Sequence, residues 1–373
     1  MSLVHELLLE NLDIGPQHSS KGVTLVPLRL KDGAHAMSLS TAIEQEFVEI
    51  LESESVNHLK IKVTSPPVPI LLPFLQVVGG GKQDRMLTRP LIIEPIEGEK
   101  IWDIPVNCVE QGRWTYSRAS TGEQTSTKFT SHKKARMSPS MGSVNVSADQ
   151  STTWGSISWY QEKSNVARAV SPSQSFMEIE EEVHRRQEEP DPDLEDLVKF
   201  VQAGGSLMAD QSGLALFMGE EMIGLELYGS PSLWSEIAEA VTSSFVSELG
   251  LRERKEESTS SEHVQQTIRD TIGKRQYKEV SSDQFGEFYM DKGQDEFSSL
   301  VINYKGKPAE VYLAHRRSDI TGAMSQGFDM ANVQQVQQVQ QFANVDLPEE
   351  MAYDDNYQQS IDEREEDEGD PVD

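Results

Sequence analysis

Residues 213–249 restrict the possible folds of this chain more than any other stretch. GLALFM (Gly213–Met218) and MIGLELY (Met222–Tyr228) are short apolar runs parted by Gly219, Glu220 and Glu221, and GSP then leads into LWSEIAEAVTSSFVSEL. Two such runs around a glycine-containing turn predict a β-hairpin. Ser230 suits an N-cap and Pro231 a first helical position. Leu233, Ile237, Val241, Phe245 and Leu249 then recur every four residues, which gives a helix one apolar stripe. One hairpin and one helix cannot cover both faces of a sheet, so more strands must join them. The sequence offers a second helix over Glu262–Ile272 and strands over Phe297–Tyr304 and Ala309–Leu313, with Lys305 and Gly306 at the turn. Residues 159–320 are therefore expected to form an α+β half.

The first 116 residues read differently. Val4–Leu12 and Gly22–Leu30 are apolar runs separated by the turn-rich GPQHSSKG, which predicts an opening β pair. Ser38–Glu52 admits either a helix capped by Ser40 or a strand through Phe47, Val48, Ile50 and Leu51. The expectation is a helical turn leading into a strand. Leu59, Ile61 and Val63 alternate with polar residues as a half-buried strand does, and PVPILLPFL (Pro67–Leu75) is too rich in proline for a helix. With Leu91–Ile93 and Ile101–Val109 this makes a β-rich half, sandwich or barrel-like, packed with the α+β half.

Between the halves, residues 117–158 are crowded with Ser and Thr and carry Lys128, Lys133, Lys134 and Arg136 among few large apolar residues. That composition predicts a polar mobile loop, either a lid or a plain insertion. Further on, Phe176, Ile179 and Val183 predict a helix seam, and the EEPDPD break separates it from a helix over 194–201. Residues 321–373 read as a Gln-rich and acidic tail. A Val-Gln-Gln run over 331–342 precedes an end with twelve acids and one arginine after residue 346, and disorder until bound is expected.

Charge narrows the partners. A formal net charge of −29 argues against a nucleic-acid backbone or an anionic membrane surface. Cys108 is the single cysteine, so an internal disulfide is impossible and an oxidising compartment is not indicated. No apolar run approaches the ~18 residues of a membrane span, and the N-terminus lacks the basic start and cleavage site of a secretory signal. A cytoplasmic protein is expected.

Two clusters invite a functional reading. GGGKQDR, Gly79–Arg85, combines flexible backbone with a lysine, an amide, a carboxylate and a guanidinium, which suits a phosphate or carboxylate guest or a plain turn with a surface salt bridge. It is neither a Walker A loop nor a dinucleotide fingerprint. In CVEQGRW, Cys108–Trp114, strand alternation puts Val106, Cys108 and Glu110 on one face. If that face lines a pocket, Glu110 is the candidate general base and Cys108 the candidate nucleophile, with Arg113 on an anion and Trp114 stacked on a ring. The alternatives are a small buried thiol and a Glu110–Arg113 ion pair, since a neighbouring carboxylate opposes thiolate formation. Eight histidines contain no HxH or HxxxH pair, so no metal site is expected.

The order SLSTAIEQEFVEILE, GGGKQDRMLTRPLIIEP, IPVNCVEQGRWTY, DQSGLALFMGEEMIGLELYGSPSLW resembles the ARG- and rhodanese-phosphatase-superfamily-associated protein domain, a domain of unknown function, from about Ser38 to Leu313. Its association with ADP-ribosylglycohydrolases and phosphatases implies NAD or ADP-ribose chemistry by context only, and it names no cofactor. The family pattern maps onto Gly81, Gln83, Arg85, Cys108, Glu110, Gly112, Arg113, Trp114, Gln211 and Glu226. Asp84 sits inside the same cluster. The chain departs from the pattern where Pro73, Phe74 and Leu75 replace Asp-Gly-Glu and where Tyr312 replaces a histidine, which implies binding in place of catalysis at those positions. Two functions follow as expectations. One is a site binding or processing a nucleotide-like anion; the other is a non-catalytic interaction protein recruiting a partner through residues 331–373.

Overall fold

The hairpin and helix foreseen at 213–249 sit at the centre of the molecule, which the computed structural model describes over residues 4–51, 55, 57–79, 84–109, 130–146, 149–164, 176, 179–180, 182, 198–201, 205–252, 259–291 and 296–320. Strands β13 (Gly213–Met218) and β14 (Glu221–Tyr228) form the hairpin, and helix α5 (Pro231–Leu249) follows with Ser230 as its N-cap. β13 pairs on its other side with β3 (Val23–Leu30), and β14 pairs with β18 (Lys307–His315), all antiparallel. Beyond β18 the sheet continues through β17 (Phe297–Tyr304), β16 (Gly286–Asp291) and β15 (Tyr277–Asp283). Beyond β3 it ends in β1 (Leu12–Ile14), with β2 (His18–Ser20) also on β3, for nine strands among the described residues. N-terminal strands thus pair directly with C-terminal ones, and the described residues fall in one compact unit.

Period-two alternation assigns the two faces of this sheet. Leu214, Leu216, Tyr228, Tyr312 and Ala314 join the core beneath α5, whereas Ala215, Phe217, Leu225, Leu227 and Leu313 join a second core on the opposite face. Two helices cover that second face, α1 (Val4–Asn11) and α6 (Ser261–Gly273). The opening run is therefore a helix, not the first strand of a β pair. Val4, Leu8 and Leu12 are spaced by four, and this seam lies in one cluster with Val264, Ile268 and Ile272 of α6, so tertiary packing decides for the helix.

The β-rich half contains a six-stranded antiparallel sheet in the order β12 (Thr130–Arg136), β8 (Gln76–Gly79), β9 (Arg85–Leu87), β11 (Glu99–Cys108), β6 (His58–Thr64), β5 (Val48–Leu51). A small sheet of β10 (Leu91–Ile93), β7 (Ile70–Leu72) and β4 (Met37–Ser38) lies with it across a third core of Leu59, Ile61, Val63, Ile70, Leu91, Ile93, Trp102 and Ile104. Helix α2 (Leu39–Glu44) links β4 to β5 as the expected helical turn, capped by Ser38 where the sequence suggested Ser40.

The polar segment 117–158 is not a loop where it is described. Besides β12 it contains helix α3 (Pro139–Asn145) and most of α4 (Gln150–Lys163), and its Met137, Met141 and Ile157, with Trp159 and Tyr160 just beyond it, enter the core under α5. Inside these helices Ser143 Oγ donates to Ser140 O and Ser156 Oγ to Thr153 O, so the hydroxyls are satisfied locally. Residues 117–129, Val183, 188–193 and the tail 321–373 lie outside the described residues. The hairpin β15–β16 was not foreseen, because the burial of β15 is intermediate or exposed at every position.

Candidate functional site

Antiparallel pairing brings the described edges of both sequence clusters to one end of the six-stranded sheet. Cys108, the last residue of β11, stands opposite Arg85, the first residue of β9. The Val109 N–H donates to Asp84 O at 3.2 Å, and Val78 of β8 pairs with Arg85 on its other side. Gly79 at the end of β8 pairs with Thr130 at the start of β12. The connections that carry GGGKQ and EQGRW therefore both leave from this sheet end and return to it. Gly81, Gln83, Glu110, Gly112, Arg113 and Trp114 themselves lie outside the described residues.

The strand residues that position this end are deeply buried. Arg85 and Cys108 are each 0 % exposed and Asp84 is 3 % exposed. Helix α4 holds the end of β11 from the side. The Cys108 N–H donates to Gln150 Oε1 at 2.8 Å while Gln150 Nε2 donates to Cys108 O at 2.6 Å, so the side-chain amide stands in for a neighbouring strand. One residue earlier, Asn107 Nδ2 donates to Thr153 Oγ1 at 2.8 Å, and Thr153 Oγ1 donates to Asn145 Oδ1 at 2.9 Å. Sequence reasoning missed Gln150, because the segment that contains it reads as loop.

Gln211 and Glu226 belong to other surroundings. Gln211 Oε1 accepts from Leu207 N at 2.8 Å and its Nε2 donates to Gly213 O at 3.0 Å, so its amide shapes its own loop. It also lines a cavity of about 190 Å³ with Asp210, Trp234 and Ser235 at the start of α5. Glu226 on β14 is 2 % exposed and meets Arg136, whose Nη2 donates to Glu226 Oε2 at 2.6 Å and whose Nε donates to Oε1 at 3.3 Å. The Tyr228 hydroxyl donates to the same Oε2 at 2.7 Å. Arg136 also reaches Glu310 of β18 at 3.5 Å, and the Phe74 N–H donates to both Glu310 oxygens at 3.2 and 3.1 Å. Burial alone would lower the Arg136 pKa, yet the adjoining Glu226 carboxylate raises it above its ordinary value, so the guanidinium stays charged.

Phe74 and Tyr312, two of the residues at which the sequence resemblance led us to expect a departure, meet beside this ion cluster. Their rings pack edge to face at 5.0 Å, and the Tyr312 hydroxyl donates to Pro139 O at 3.0 Å. An aromatic contact and a main-chain bond thus occupy those two positions. Arg136 and Glu310 escaped the sequence reading. The arginine closes a basic run taken as loop, and the glutamate sits inside an expected strand with nothing in its spacing to mark it. Among the described residues no group of three His, Cys, Asp or Glu stands close enough to hold a metal ion, and no helix is long and apolar enough to cross a membrane.

A family model described as ARPP-1, the ARG and Rhodanese-Phosphatase-superfamily-associated Protein domain, matches residues 11–301. No curated protein and no solved structure matches the chain.

Proposed function

The chain belongs to the family of the ARG and Rhodanese-Phosphatase-superfamily-associated Protein domain, and on that premise we propose that it binds a nucleotide-like anion at the sheet end marked by Asp84, Arg85 and Cys108, in a cytoplasmic pathway of NAD or ADP-ribose chemistry. The observation that carries this reading is the register placing Arg85 opposite Cys108, because it sends both cluster-bearing connections out of one sheet end. In the proposed site Arg113 pairs with the anion, Trp114 stacks on the base and Gly81 to Gln83 supply main-chain N–H groups. Cys108 then serves as a packed strand residue and not as a nucleophile, since it is 0 % exposed. Glu110 is left as the candidate general base, which keeps binding and turnover as separate questions.

Thermal denaturation with NAD, ADP-ribose and mononucleotides tests this. A ligand at a hundred times its Kd stabilises the folded state by about 2.7 kcal/mol. The expected result is an upward shift of Tm with one of these compounds that Arg113→Ala removes. A second reading, an interaction protein that recruits its partner through residues 331–373, is favoured by the burial of Arg85 and by the local bonds that occupy Gln211. Silence of every compound, together with loss of a bound partner on deleting residues 331–373, supports that reading instead.

A further inference from the structure

Arg136 joins the two large sheets through a cluster whose charges do not balance. From β12 of the six-stranded sheet its guanidinium reaches Glu226 on β14 and Glu310 on β18 of the nine-stranded sheet, with all three side chains at most 2 % exposed. Two carboxylates share one cation, so the fully ionised cluster buries a net negative charge, which is costly where water is excluded. A proton on one carboxyl removes that charge, and the geometry selects which. Glu226 receives the two guanidinium bonds and the Tyr228 hydroxyl, whereas Glu310 has the longer 3.5 Å contact and the Phe74 main-chain N–H. The better-solvated partner keeps the charge.

We propose that Glu310 holds a proton and acts as a pH-sensitive latch between the two sheets, tight when protonated and looser as rising pH removes the proton. The surroundings fit this assignment. Tyr228 and Tyr312 face the cluster from β14 and β18, and burial pushes both phenols well above their ordinary range, so they stay neutral. Helix α5 brings only acids, Glu248 near Tyr312 and Glu236 at a cavity of about 10 Å³ beside Arg136. The β17 residue opposite Glu310 is Ile302, which carries no charge. Burial first, and then repulsion from Glu226, push the Glu310 carboxyl up to about 8 against the pull of Arg136. The small cavity beside Arg136 has room for about one water.

The latch grips the chain at Phe74. Its N–H donates to Glu310 and its carbonyl accepts from Arg136 Nη1, so both main-chain groups of one residue depend on the cluster. Leu75 follows with φ at +65°, a left-handed conformation that a leucine keeps only where its surroundings impose it. β8 begins at the next residue. This inference does not depend on the proposed nucleotide site.

The sign follows from linkage. The folded state holds the Glu310 proton up to about pH 8 whereas the unfolded chain releases it near 4.5. Opening of the junction therefore becomes about tenfold easier per pH unit inside that window and levels off above it. The test uses the full chain with carboxyl-labelled glutamate, and the resonances missing from Glu310→Gln and Glu226→Gln assign the two signals. Glu310 is expected to titrate near pH 8. Amide exchange at Phe74, corrected for its intrinsic rate, should steepen about tenfold per unit below that point in the wild type and lie flat in Glu310→Gln, which carries the uncharged shape. A Glu310 signal that titrates in the ordinary carboxylate range, a Glu226 signal that titrates in its place, or an exchange slope that persists in Glu310→Gln overturns the proposal.

Discussion

Cys108 and Arg85 stand directly opposite one another across the β9–β11 ladder, and neither side chain has any exposed surface. A thiol in this position reacts only when the sheet end opens. Opening that requires about 4 kcal/mol slows thiol modification by a factor on the order of 10³ relative to the unfolded chain. The expected result is negligible reaction of native protein with a thiol reagent and stoichiometric reaction after denaturation. Fast labelling of the native chain would show that this end of the sheet is open to solvent.

Helix α4 should be tied to that ladder chiefly by Gln150, since its side-chain amide bonds to both main-chain groups of Cys108. Gln150→Ala leaves a buried N–H and C=O to find other partners, at a cost of about 1–3 kcal/mol. Glu162→Ala, at an exposed position near the far end of the same helix, should stay within about 0.5 kcal/mol of wild type. Urea denaturation of the two variants measures the contrast; equal effects would mean that helix propensity, not docking, dominates.

These two contacts also show where sequence reasoning succeeds. The hairpin and α5 were legible because Ser230, Pro231 and a four-residue apolar spacing all specify one local answer. α4 was illegible because Ser156, Thr153 and Gln150 look like loop residues until their hydrogen-bond partners, Asn145, Asn107 and Cys108, are brought to them by the fold. Arg136 was hidden for the same reason. Its partners lie 90 and 174 positions away, beyond any periodicity. At the candidate site the two clusters were recognisable by composition, but their convergence on one sheet end is a property of strand order, which no local pattern encodes.

The start of α4 carries its own pH dependence. Asp149 caps the helix by accepting from Thr152 N at 2.8 Å, and that bond lowers its carboxyl below the usual range, with Ser151 adding to it. A depressed folded pKa means that the stabilisation is present above the unfolded value and disappears as pH falls through the folded one. Asp149→Ala should cost about 1 kcal/mol at neutral pH. The gap between variant and wild type should narrow as the solution is acidified below the ordinary carboxylate range, which urea titrations at several pH values would follow. A gap independent of pH would assign the cap to geometry alone.

Two glycines separate close packing from backbone strain. A Cβ on Gly229, in the GSP segment that leads into α5, would lie 2.0 Å from Ala34 O and 2.7 Å from Ala34 N. These are backbone atoms fixed by the bonds from Ala34 N to Pro308 O at 2.7 Å and from Gly229 N to Ala309 O at 2.9 Å, so they have no rotamer by which to move away. Gly229→Ala should therefore cost more than about 3 kcal/mol, since relief requires the chain around Ala34 to shift from β18. Gly98 has φ at +79° with open space where its Cβ would be. Gly98→Ala meets no neighbour and should cost only the left-handed conformation, about 1–2 kcal/mol. Thermal unfolding of both variants at one protein concentration measures the difference; a Gly229→Ala protein as stable as Gly98→Ala would mean that the 33–34 turn is free to retreat from the sheet.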